Sequence, residues 1–155
     1  ETLAETAILT AEFARRFDVE PRVAMLSFSN FGSNPHPSAR KARRAVEIVR
    51  ARAPELAIDG EMQADTAVMA SVLQESYPWT RLGGPANVLI FPELNSANTA
   101  YKLIWRLAGA EAIGPVLLGM ARPVHVLQRG VEVSDIVNMA AICVVDAQEY
   151  EARKG

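Results

Sequence analysis

Apolar positions along the chain change period several times, and each change marks an element. Residues 1–17 place Leu3, Ala7, Ile8, Ala11, Phe13 and Phe17 on a broad apolar face, which predicts a helix. A turn at 18–21 ends it. Residues 22–28 (RVAMLSF) form a short apolar run between turn signals, the pattern of a strand covered on both faces. A polar loop containing Gly32 and two prolines follows. It leads into a helix over 38–52, with Ala39, Ala42, Val46 and Val49 inward. Residues 56–58 predict a second strand. Asp59, Gly60 and Glu61 are expected at its C-terminal end, opening a helix through Ala67, Val68, Val72 and Leu73. Residues 87–91 (NVLIF) predict a third strand. The helix after the Asn-rich turn at 92–98 is expected to turn Ala100, Leu103, Ile104, Leu107 and Ala108 inward. Residues 115–119 and 124–127 read as further short strands. A final helix carries Ile136, Met139, Ala140, Cys143, Val144 and Ala147 at helical spacing.

Four or five strands alternating with helices predict an α/β fold, three-layered, with a mostly parallel sheet flanked by helices. No repeat or linker interrupts the pattern. In such sheets ligands gather beyond the C-terminal strand ends. The loops at 29–37, 59–61, 92–98 and 128–135 are therefore the places to look for chemistry.

Composition narrows the classes. The chain has 155 residues, half of them hydrophobic, enough for one compact domain or a domain with part of another. A formal charge of −2 argues against a nucleic-acid partner. No apolar run approaches the ~20 residues that span a bilayer. The first residues carry no basic stretch before an apolar segment, so no signal peptide is expected there, and the missing initiator Met suggests a piece of a longer chain. A single cysteine, Cys143, excludes an internal disulfide and suits a reducing, cytoplasmic setting. With two His and one Cys, no Cys/His metal site is expected.

Four stretches carry candidate chemistry. The first is Arg129 and Gly130 ahead of Ser134 and Asp135, at the start of the last helix. Ser134 is a candidate N-cap. Asp135 in the first turn is favoured as an anion by the helix dipole, and Arg129 could hold a ligand anion nearby. The same residues also suit an ordinary capped helix. The second stretch is the Ser29, Gly32, Ser33 loop ahead of a helix bearing Arg40, Lys41, Arg43, Arg44, Arg50 and Arg52 against only Glu47. It reads as an anion cradle or as a solvated basic face, with His36 a loop residue. The third is Asp59 and Glu61, which could ligate a metal, act as acid and base, or cap a helix. The fourth is Asn95 and Asn98, either caps or ligand contacts, with Lys102 and Arg106 one turn apart beyond them.

The motifs carry a resemblance as well. Leu127-Gln-Arg-Gly, then Ser134-Asp-Ile-Val, then Ala140-Ala-Ile resembles the C-terminal signature of the phosphate acetyltransferase and phosphate butyryltransferase family. Ser27, Ser29, Gly32 and Ser33, the IDGEMQAD segment and the run from Asn87 to Val124 are similar to that family in the same order. The resemblance implies a module of two α/β domains with the active site in the cleft between them, usually dimeric. Residues 1–127 would form the second domain, and 128–155 a helical segment packing back on the first. It implies acetyl transfer between coenzyme A and phosphate, with Asp135 at the base position and Arg129 at the phosphate-binding position. Ser29, Gly32, Ser33, Asn95, Asn98 and Lys102 would be ligand contacts, with no metal. One departure stands out: in the family's pattern a serine precedes the arginine, and here the residue is Gln128.

That departure, with MLSFSNFGS and IVNMAAI, resembles the phosphotransacetylase-like domain at the C-terminus of bacterial hybrid NADP-dependent malic enzymes. The resemblance implies a domain that binds acetyl-CoA or CoA as a regulator without transferring acyl groups. NADP and a divalent metal would belong to an N-terminal malic enzyme domain outside this chain, and the assembly would be a homodimer or larger. An active phosphate acetyltransferase and a purely structural oligomerisation domain are the alternatives.

Overall fold

A computed structural model, which describes residues 1–152, places three parallel strands in the order β2-β1-β3. Strand β1 is Arg22–Leu26, β2 is Ala57–Met62 and β3 is Val88–Ile90. The helices are α1 (Thr2–Arg15), α2 (Pro37–Arg52), α3 (Ala64–Val68), α4 (Ala70–Ser76), α5 (Leu94–Leu107) and α6 (Val133–Ala152). Contacts divide the chain into two compact units, Glu1–Lys102 and Leu103–Gly155.

The first unit is a three-layer arrangement built on β1. Its register runs Val23 beside Ile58 and Val88, and Met25 beside Gly60 and Ile90. Successive side chains leave opposite faces. Val23, Met25, Ile58, Val88 and Ile90 pack with Ala4, Ala7 and Ala11 of α1 and Ala42, Val46 and Val49 of α2. Ala24, Leu26 and Met62 pack on the other side with Ala67, Leu73 and Leu82. Burial on both faces explains why β1 reads as a continuous apolar run rather than an alternating one. The alanines of α1 and α2 let the two helices lie close over the sheet.

Several elements differ from the sequence reading. Asp59, Gly60 and Glu61 do not follow a strand but lie inside β2, which continues to Met62. Met25 pairs with Gly60 and Leu26 with Met62, so Glu61 is the extra residue of a bulge. The helix expected next is two short ones meeting at Met69, whose extended backbone (φ −99°, ψ 111°) breaks the turn. Residues 115–119 and 124–127 form no strand. Pro115 and Pro123 offer no ladder donor, and Gly114 and Gly119 take positive φ of 135° and 74°, out of the extended region.

Helix α5 begins earlier than expected, at Leu94, and none of its residues is buried. Leu103, Ile104 and Leu107, expected inward, are exposed, Leu107 at 81%. The spacing correctly marks an apolar helix face, but spacing alone does not say whether the same chain covers that face. In the second unit, α6 is the one regular element lying wholly within it among the described residues. No helix among the described residues is long and apolar enough to cross a membrane.

Candidate functional site

The Ser29–Ser33 loop does cradle an anion, but the anion is the protein's own Glu61. Glu61 is fully buried. Its Oε1 accepts from Ser29 Oγ at 2.9 Å, Gly32 N at 2.8 Å and Arg43 Nη2 at 3.0 Å. Arg43 Nε donates to Oε2 at 2.9 Å, completing a two-point guanidinium contact. Ser29 Oγ also lies 3.0 Å from Ser33 Oγ and accepts from Asn34 N. Ser33 Oγ accepts from Asn30 N. Gly32, at φ 92°, brings its N–H to the carboxylate in a conformation that favours glycine. Burial alone pushes the Glu61 carboxyl upward. The Arg43 guanidinium, the Gly32 N–H and Ser29 outweigh it and hold the group below the ordinary carboxylate value. Glu61 in turn raises Arg43.

The bulge is what puts Glu61 there. A Cβ at Gly60 would fall 2.6 Å from the carbonyl oxygen of Met25, so only glycine lets β2 run this close to β1. The backbone locks the loop to the same place: Phe31 N donates to Glu61 O and Ser27 N to Met62 O. Gln63 reaches back to Asn30 Oδ1 and Phe28 O.

Asp59 forms a second buried acid centre. Arg50 Nη2 and Gly60 N donate to its Oδ1, and Thr80 Oγ1 and Arg81 N to its Oδ2. The basic face of α2 is thus largely spent inside the molecule. Arg43 meets Glu61, Arg44 meets Glu47, Arg50 meets Asp59 and Arg52 meets Glu5. Lys41 Nζ donates to Pro92 O at 2.9 Å, tying α2 to the end of β3. His36 caps α2, its Nδ1 accepting from Ser38 N.

At the start of α5 the cap is Glu93 rather than an asparagine. Its carboxylate accepts from Ser96 N at 2.8 Å and Asn95 N at 3.0 Å. The Ser96 and Asn95 donors hold Glu93 below the ordinary carboxylate value. Asn95 and Asn98 are exposed, as is Lys102, whose Nζ lies 5.7 Å from the Tyr101 ring centre.

In the second unit, Gln128 and Arg129 are exposed at a turn closed by Gly130 at φ 76°. Asp135 Oδ2 accepts from Glu132 N at 2.9 Å. The carboxylate therefore reaches back to the residue ahead of the helix, one half of a capping box, and Ser134, already inside α6, is not the cap. A pair that the sequence reading passed over supports this segment. His125 Nε2 lies 2.7 Å from Asp146 Oδ2, with the side chains 3% and 8% exposed. It ties the irregular stretch ahead of Gln128 to α6. An acid inside the apolar stretch Cys143-Val-Val-Asp-Ala was the available signal.

Residues 1–144 match the family described as phosphate acetyl/butaryl transferase. The chain belongs to this family. An NADP-dependent malic enzyme of Escherichia coli is 49% identical over 150 residues, covering 96% of this chain and 20% of that protein. A phosphate acetyltransferase of Clostridium acetobutylicum is also 49% identical, covering 96% of this chain and 45% of that one. A phosphotransacetylase structure from Streptococcus pyogenes superposes with a TM-score of 0.90 at 44% identity, over 95% of this chain and 45% of that chain. The chain is thus a phosphotransacetylase-like domain spanning less than half the length of these relatives, which include both phosphate acetyltransferases and NADP-dependent malic enzyme.

Proposed function

We propose that this domain binds acetyl-CoA as a regulator within a larger, cytoplasmic, dimeric malic enzyme and does not itself transfer acyl groups. The carrying observation is Gln128 directly before Arg129. In the family's pattern a serine hydroxyl stands at that point beside the reacting centre. A glutamine is longer and presents an amide there instead, and a displacement of about 1 Å can cost ~100-fold in rate. Arg129 and Asp135 are both retained: a guanidinium for ligand phosphate, and a carboxylate at the position that would take the thiol proton. NADP and a divalent metal are assigned to the part of the parent enzyme outside this chain. Regulation then follows from differential affinity, because a ligand that favours one conformation shifts the assembly toward it. The high identity to the Clostridium acetobutylicum phosphate acetyltransferase supports a second reading, an active transferase that tolerates glutamine.

Arsenate-dependent breakdown of acetyl-CoA by the parent protein, set beside its Gln128→Ser variant, separates the two. The regulatory reading expects acetyl-CoA binding without turnover in the parent, and measurable turnover gained in the variant. Turnover by the unmodified parent would overturn it in favour of the transferase. Absence of acetyl-CoA binding by calorimetry would leave a structural role.

A further inference from the structure

Beside the Glu61 cradle, α2, β2 and the loops after β1 and α4 line an open pocket of about 370 Å³. It is lined by Arg43, Arg50 and Arg81, by Phe31 and Trp79, and by Asp59. A volume in this range suits a small metabolite.

The hydrogen-bond inventory of the walls points to what is missing. Asp59 already accepts four bonds and Glu61 four, so neither carboxylate has capacity to spare. Glu47, also in the wall, is held by Arg44. The donors are not exhausted. Arg50 donates only through Nη2, to Ile58 O and Asp59, which leaves its Nη1 without an internal acceptor among the described residues. The Arg81 guanidinium makes no hydrogen bond or ion pair among the described residues, although its backbone N–H is fixed on Asp59. Arg43, Arg44, Arg50 and Arg81 face Glu47, Asp59 and Glu61, which leaves Arg81 as the uncompensated charge. Trp79 is 60% exposed yet held by edge-to-face contacts with Phe31, centroids 4.5 Å apart, and with Tyr77 at 5.9 Å. A tryptophan fixed in place with its surface open is a stacking platform.

We propose that this pocket binds a small ligand carrying a phosphate on a planar ring system, of the mononucleotide class. The phosphate supplies acceptors to Arg81 and Arg50, and the ring stacks on Trp79. None of the lining residues is among those assigned to acetyl-CoA above, so the proposal does not rest on that reading.

Calorimetric titration of this chain with AMP, adenosine and inorganic phosphate tests it. AMP is expected to bind, with adenosine and phosphate each at least about tenfold weaker, since each offers only half the contacts. Arg81→Gln is expected to weaken AMP at least about tenfold with an unchanged melting temperature, because the side chain supports nothing internal. Trp79→Leu should weaken AMP while sparing the weak phosphate binding. No AMP binding at millimolar concentration, phosphate binding as tightly as AMP, or an undiminished affinity in Arg81→Gln would each overturn the proposal.

Discussion

Glu61 shows how one side chain can organise a loop. Its carboxylate is dehydrated, which is costly, and four donors from three residues offset that cost. Glu61→Gln would turn an amide donor toward Arg43, itself a donor. Arg43 is part-exposed and can swing into water, so the expected loss is about 2–4 kcal/mol, below the full cost of stranding a buried charge. Urea unfolding at neutral pH measures it. The pH dependence has a definite sign. The folded-state value of Glu61 lies below the ordinary 4.5, so its contribution is fully present above that value and is lost as pH falls through the folded one. The acid limb of the stability curve should therefore be shallower in the Gln variant. An identical limb in both proteins would mean that Glu61 is not among the groups driving acid unfolding.

At the scale of elements, α2 is legible from its helical period, and β1 and β3 from short apolar runs bounded by turn signals. The cradle was legible only in part. Ser29, Gly32 and Ser33 suit an anion cradle as well as a loop beside a solvated basic face, nothing in the sequence distinguishes Arg43 from its five basic neighbours on α2, and Glu61 reads as a strand-end acid. The bulge that buries it depends on the close approach at Gly60, a three-dimensional fact with no sequence period. Residues 115–119 and 124–127 suggest strands that do not form, because short apolar runs look alike whether paired or not. Asn95 and Asn98 read as caps or ligand contacts, while glutamate is an uncommon cap whose longer reach here serves two backbone donors. Glu93→Ala should fray the first turn of α5, seen as faster amide exchange at Asn95 and Ser96. Because the native value of Glu93 is lowered, acidification of the unmodified chain should produce the same fraying as pH falls below the ordinary carboxylate value. Unchanged exchange in the variant would contradict the capping role.

At the scale of the whole molecule, apolar surface is left open on both long C-terminal helices. Leu94, Leu103, Ile104 and Leu107 on α5, and Val133, Val137 and Val144 on α6, are all exposed. Exposed apolar helix faces of this kind, such as Leu103, Ile104 and Leu107 on α5, mark interaction surfaces. This chain alone is expected to self-associate at micromolar concentration in sedimentation velocity, and Leu103→Lys with Ile104→Lys to shift it toward monomer. A monomer at all concentrations would show that these helices need no cover.

The strand order β2-β1-β3 carries a consequence for how the protein is made. The central strand is the first of the three to leave the ribosome, and α2 and β2 follow it directly. A sheet pair with one helix over it, complete with the Glu61 cradle, can therefore settle while β3 is still being synthesised. The later strand then adds to an edge already held in register by a buried carboxylate.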